Sequence, residues 1–125
     1  MKIKTVFLLA LTLVGFTIMA EAPASAKFSW YKTSHDFGVI ELNQPVTATF
    51  NFINEGAAPL FISEVKAGCG CTVASFTKEA IAPGDMGEVQ ATYNAAKSGN
   101  FNKTVTVYAN TDGDPIVLTL KGTVR

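Results

Sequence analysis

From Lys27 onward, apolar residues recur at every second position in short runs, the spacing of strands that bury one face. Val46, Ala48, Phe50 and Phe52 share one parity while Thr47, Thr49 and Asn51 take the other, which predicts a strand over 46–53 burying two phenylalanine rings. Phe101, Val105, Val107 and Ala109 repeat the pattern against Asn102, Thr104 and Thr106. Val89, Ala91 and Tyr93 form a third run, and Ile116, Leu118, Leu120 and Val124 a fourth. Helical spacing persists nowhere in this part of the chain. The predicted strands cover 28–31, 36–41, 46–53, 60–65, 72–76, 87–93, 101–110 and 116–124.

The breaks between runs carry turn chemistry. Asn54-Glu55-Gly56 and Pro83-Gly84 supply residues for tight reversals, and Asp112-Gly113 is a strong hairpin signal. Pro45 and Pro115 stand where strands open, so their missing N–H groups interrupt no ladder. Short strands with turns about every ten residues imply mostly antiparallel neighbours. The fold class expected is therefore all-β, an immunoglobulin-like antiparallel β-sandwich of seven to eight strands.

The first 26 residues follow different rules. Lys2 and Lys4 precede an apolar run from Val6 to Ile18, and Ala24-Ser25-Ala26 places small residues at the A-x-A positions of a secretory signal peptide. The apolar stretch is shorter than the ~20 residues of a bilayer span, so removal of 1–26 is expected rather than anchoring. No cysteine lies near the cut to receive a lipid. The remaining domain, 27–125, holds 99 of the 125 residues; Lys and Arg fall from 10 to 8, Asp and Glu from 10 to 9, and the net charge moves from zero to about −1. A nearly neutral chain with no basic cluster offers no footprint for nucleic acid or an anionic membrane. After cleavage, no membrane span is expected.

One cluster departs from ordinary sandwich composition: Gly68-Cys69-Gly70-Cys71-Thr72, between two predicted strands. In an extended chain Cys69 and Cys71 would share a face with a separation of about 6.6 Å, near the upper limit for a disulfide. The flanking glycines permit a tighter bend. Three chemistries fit two thiols in an exported chain. One is a local structural disulfide, favoured by an oxidising compartment. Another is Cu(I) binding, which suits paired thiolates but has only His35 and Met86 as further soft or nitrogen donors. The third is thiol–disulfide exchange, although the Cys-x-x-Cys at a helix N-terminus that lowers a thiol pKa is missing.

Other sites weigh less. His35-Asp36 could orient a catalytic group, but neither Ser34 nor Ser63 has the context of a nucleophile. Asn110 to Asp114 is rich in oxygen donors, yet its glycine and final residue fall out of register with a calcium-binding loop, so a hairpin turn is expected. Asn102-Lys103-Thr104 matches a glycosylation acceptor, relevant only where the source glycosylates exported proteins. Trp30 and Tyr31 are expected in the core through alternation with Phe28, with a binding patch as the other reading.

Taken in order, His35-Asp36-Phe37-Gly38, Phe50-Asn51-Phe52-x-Asn54-x-Gly56, Pro59-Leu60-x-Ile62, Cys69-Gly70-Cys71-Thr72, Ile81-x-Pro83-Gly84 and Leu118-x-Leu120-x-Gly122 form a pattern. This pattern resembles the bacterial domain-of-unknown-function 1573 family, across nearly all of the domain. Gln44 stands where a glycine is common in that family. The resemblance extends to the immunoglobulin-like domains of abnormal-spindle and hydin proteins. It implies a β-sandwich made by exported bacterial proteins, and no settled activity.

The function expected from these readings is an exported, periplasmic or secreted, non-catalytic module that binds a protein or glycan of the cell envelope, without a cofactor. The alternative is a thiol-based site at Cys69 and Cys71 that binds Cu(I) or exchanges disulfides.

Overall fold

The computed structural model describes residues 24–125 and Gly15. The expected leader therefore lies outside the described residues, apart from Gly15 and its last three positions. Eight strands follow in chain order: β1 (Phe28–Trp30), β2 (Ser34–Ile40), β3 (Val46–Asn54), β4 (Ile62–Ala67), β5 (Thr72–Phe76), β6 (Met86–Tyr93), β7 (Gly99–Ala109) and β8 (Ile116–Val124). They form two four-stranded sheets, ordered β1-β3-β6-β5 and β2-β8-β7-β4. Among the described residues no helix is long and apolar enough to cross a membrane.

The parity seen in the sequence decides which side chains face inward. Phe50 and Phe52 on β3, with Val89, Ala91 and Tyr93 on β6, meet Phe101, Val105 and Val107 on β7 and Leu118, Leu120 and Val124 on β8, all buried. Tyr93 stacks on Phe101 with ring centroids 4.2 Å apart, joining the two sheets. Trp30 packs against Phe28 and Phe52 at 4.9 and 4.8 Å, which places it with the core, whereas Tyr31 is exposed.

Six of the eight strands have only antiparallel neighbours within the named sheets; the other two, β2 and β8, pair with each other in parallel. Alternation specifies the buried face of a strand and is blind to the direction of its neighbour. The parallel ladder is interrupted between Asp36 and Val39. There Asp36 Oδ1 accepts from Gly38 N at 2.8 Å, and Gly38 takes φ of 69°. A side chain on Gly122, opposite this bulge, would come within 2.8 Å of Gly38 O and 2.9 Å of the Phe101 ring.

Asn54 is a polar residue on the inward face, on the same parity as Phe50 and Phe52 and fully buried. Its Oδ1 accepts from Lys27 N at 3.2 Å and Gly56 N at 2.9 Å, while Nδ2 donates to Ala58 O at 2.8 Å and Ile81 O at 2.9 Å. The backbone of the same residue pairs with Gly84 N and Asp85 O. One side chain thus ties the start of the domain to the turn after β3 and to the Ile81–Gly84 segment. The N-terminal segment itself is part of the fold. Ala26 is buried and bridges Thr111, and Ser25 O accepts from Ala57 N at 2.9 Å.

Candidate functional site

β4 and β5 are the edge strands on one side of the two sheets, and the link between them, Gly68 to Cys71, crosses from sheet to sheet. Gly68 N donates to Thr104 O of β7 at 2.9 Å, and Asn94 N, beyond β6, donates to Cys71 O at 2.9 Å. The link is held to both sheets by its backbone. Within it Cys69 and Cys71 pair as a disulfide, their Cα atoms 5.3 Å apart, shorter than the extended-chain spacing because the chain turns at Gly70. Thr72 N approaches Cys69 O at 3.4 Å, and the buried Thr72 hydroxyl lies 3.9 Å from each sulfur. Cys71 packs on the core while Cys69 is half-exposed.

The two other candidate metal donors stand elsewhere. His35 on β2 occupies the opposite edge of the sheet from β4, three strand spacings or about 14 Å away. Met86 opens β6, whereas the cysteine link abuts Tyr93 at the other end of that strand, about 24 Å along it. Among the described residues no group of three or more His, Cys, Asp or Glu is positioned to hold a metal ion.

His35 has a different setting. Its ring packs edge-on against Phe37 at 4.5 Å, and Lys32 Nζ donates to Nδ1 at 2.7 Å, which requires that nitrogen to be unprotonated. Desolvation, then the Lys32 charge, hold its pKa below the ordinary value, with Asp36 opposing. A base with a lowered folded pKa binds protons more readily when unfolded. Its contribution is therefore fully present above about pH 6.5 and is lost as the pH falls below that value toward the folded pKa. Imidazole NMR is expected to give a midpoint below about 6.5 that rises in Lys32→Gln; a midpoint unchanged by that substitution would remove the role given to Lys32.

The remaining candidates serve the fold. Asn110 Oδ1 accepts from Phe61 N at 2.7 Å, and its Nδ2 donates to Pro59 O at 3.0 Å, so this side chain clamps the segment before β4. Gly113, at φ 101°, turns the β7–β8 connection. Ser63 Oγ donates to Tyr108 O, Ser34 is an exposed residue of β2, and Asn102 is exposed on β7.

β5 has a feature that its sequence encodes. Thr72, Ala74 and Phe76 face inward, which turns Val73 outward with Ser75, and Val73 is 70% exposed. The parity of Thr72-Val73-Ala74-Ser75-Phe76 carries that signal, and the same test identifies Asn54 as inward. No periodic signal marks Ser25 and Ala26 as part of the domain.

The fold and this corner define an all-β immunoglobulin-like sandwich with a disulfide in its β4–β5 crossover. The chain belongs to the family described as protein of unknown function (DUF1573), whose model matches residues 28–124. Among solved structures it is similar to a protein of unknown function from Porphyromonas gingivalis W83, at 17% identity and TM-score 0.66 over 80% of this chain and 46% of that one. It is also similar to the ASH / PapD-like domain of human CEP192 (PapD-like domain 7), at 11% identity and TM-score 0.66 over 81% and 87%. The Vibrio cholerae VesB protease aligns at 15% identity and TM-score 0.60, over 80% of this chain and 31% of the protease. This chain thus spans under half of the Porphyromonas protein and about a third of the protease. At these identities the likeness concerns the fold. No curated protein matches the chain.

Proposed function

We propose that this chain is an exported, non-catalytic module that holds a protein or glycan of the cell envelope, with the outer edge of β5 as the binding element. The carrying observation is a contrast between edges. β4 exposes Glu64 and Lys66, charges of the kind that discourage further strand pairing. β2 is bulged at Gly38 and bears Asp36, and β1 is only three residues long. β5 has no charged residue, presents Val73 and Ser75 outward, and starts at the disulfide. Such an edge can add an extended segment through backbone hydrogen bonds, with Val73 contributing apolar contact. Export rests on the lysines, apolar run and small residues of 1–26.

Val73→Asp tests the edge, with Val117→Asp, on exposed β8 surface, as control. In pull-downs from envelope extract, a partner retained by the wild type and Val117→Asp should be lost from Val73→Asp, with thermal melts showing all three folded. Equal recovery with Val73→Asp would overturn the β5 reading.

The disulfide acts in this proposal as a clasp on the crossover. Closing so small a ring removes little chain entropy, about 1.6 kcal/mol in the loop-closure relation. The double variant Cys69→Ser/Cys71→Ser is expected to lose about that much in urea unfolding and to keep partner binding. Stoichiometric Cu(I) uptake by the reduced wild type, together with lost partner binding in the double variant, would instead favour a thiol-based site.

A further inference from the structure

We infer that the leader is removed between Ala24 and Ser25, so that the exported chain begins at Ser25. This rests on the export reading above and adds the processing site. Three overlapping triplets place small residues at the third and first positions before a cut: Ala20-Glu21-Ala22, Ala22-Pro23-Ala24 and Ala24-Ser25-Ala26; the first would require cleavage of the bond to Pro23, whose ring removes the N–H and fixes φ at the scissile position. The products of the other two differ by Ser25 and Ala26, and the fold uses both residues.

Ser25 O accepts from Ala57 N at 2.9 Å, and Ala26 is 3% exposed and bridges Thr111 beyond β7. The next residue is tied in the same way: Lys27 N donates to Asn54 Oδ1, and Lys27 O accepts from Glu55 N at 2.9 Å. The turn after β3 is shaped around this segment. A Cβ on Gly56 would fall on the Ser25 carbonyl oxygen and stand 2.6 Å from Lys27 N and 2.7 Å from Ala26 Cα, all backbone atoms with no room to yield. Ala24, one residue earlier, is exposed. A cut after Ala26 would vacate a buried position and strip Ala57 N–H of its acceptor; a cut after Ala24 leaves every one of these contacts in place. The product that completes the sandwich is the one starting at Ser25.

The test is N-terminal sequencing and intact mass of the exported product, after expression of the full chain in a bacterium with an active secretory pathway. Ser25 is expected as the first residue. A product starting at Lys27, or at any other residue downstream of Met1, overturns this assignment and leaves export standing. An uncut chain recovered from the cytosol overturns both. Ala22→Phe supplies an independent readout, because it puts a bulky side chain at the third position before the inferred cut and outside the Ala24-Ser25-Ala26 triplet. Loss of the Ser25 product is expected; undiminished Ser25 product would show that the side chain at position 22 does not direct the cut, which overturns the triplet argument.

Discussion

Asn54→Ala is expected to lower the unfolding free energy by about 3 kcal/mol, measured by urea titration. The deletion leaves Lys27 N, Gly56 N, Ala58 O and Ile81 O without their side-chain partner. Each buried group so abandoned costs about 1–3 kcal/mol, with the lower figure suited to those that reach water on relaxation. Only the Ile81 bond is fully buried, which keeps the total below a simple sum. Asn54→Asp preserves shape and separates hydrogen bonding from packing. It places a carboxylate oxygen against the Ala58 and Ile81 carbonyls, so the folded pKa should rise. With a raised folded pKa, stability is greatest below about pH 3.9 and is lost as the pH climbs through the folded value. A loss under about 1 kcal/mol for alanine, or no pH dependence for aspartate, would mean that the Asn54 hub is not what joins these segments.

Phe52→Ala should cost about 4 kcal/mol, within the usual range for an aromatic ring removed from a core. Phe52 is fully buried and receives Phe28 edge-on at 4.8 Å and Trp30 at 4.8 Å, so it is the seat on which β1 rests. Gly87, opposite on β6, has no side chain because the Phe52 and Ile81 side chains occupy that space, so position 87 supplies nothing to fill the cavity. The variant should also shift tryptophan emission to the red as Trp30 gains water, before the global transition in a denaturant series. Emission and circular dichroism are expected to lose coincidence at the β1 step; a single coincident transition with unchanged native emission would contradict the seat assigned to Phe52.

Both positions explain why parts of the family pattern stand where they do. Asn54 and Gly56 receive the segment before β1, Ile81 and Gly84 close on Asn54, and Gly38 and Gly122 meet across the β2–β8 bulge. The Cys69–Cys71 pair was legible as a feature of a bend, since glycines on both sides of Cys69 permit the shortened Cα separation. Its distance from His35 and Met86 was not, because those separations depend on strand order and direction. The exposed Val73 edge was legible through parity, but its standing as an edge was not.

The eight strands, their inward faces and, to within about two residues, their boundaries follow from local alternation and turn chemistry, because a strand with one buried face turns every second side chain inward whatever lies beside it. Which strands become neighbours, the parallel pairing of β2 with β8, the free edge of β5 and the docking of Ser25 and Ala26 against the Gly56 turn were decided only in three dimensions. Those features rest on contacts between residues tens of positions apart, and a period-two pattern is the same for every possible partner.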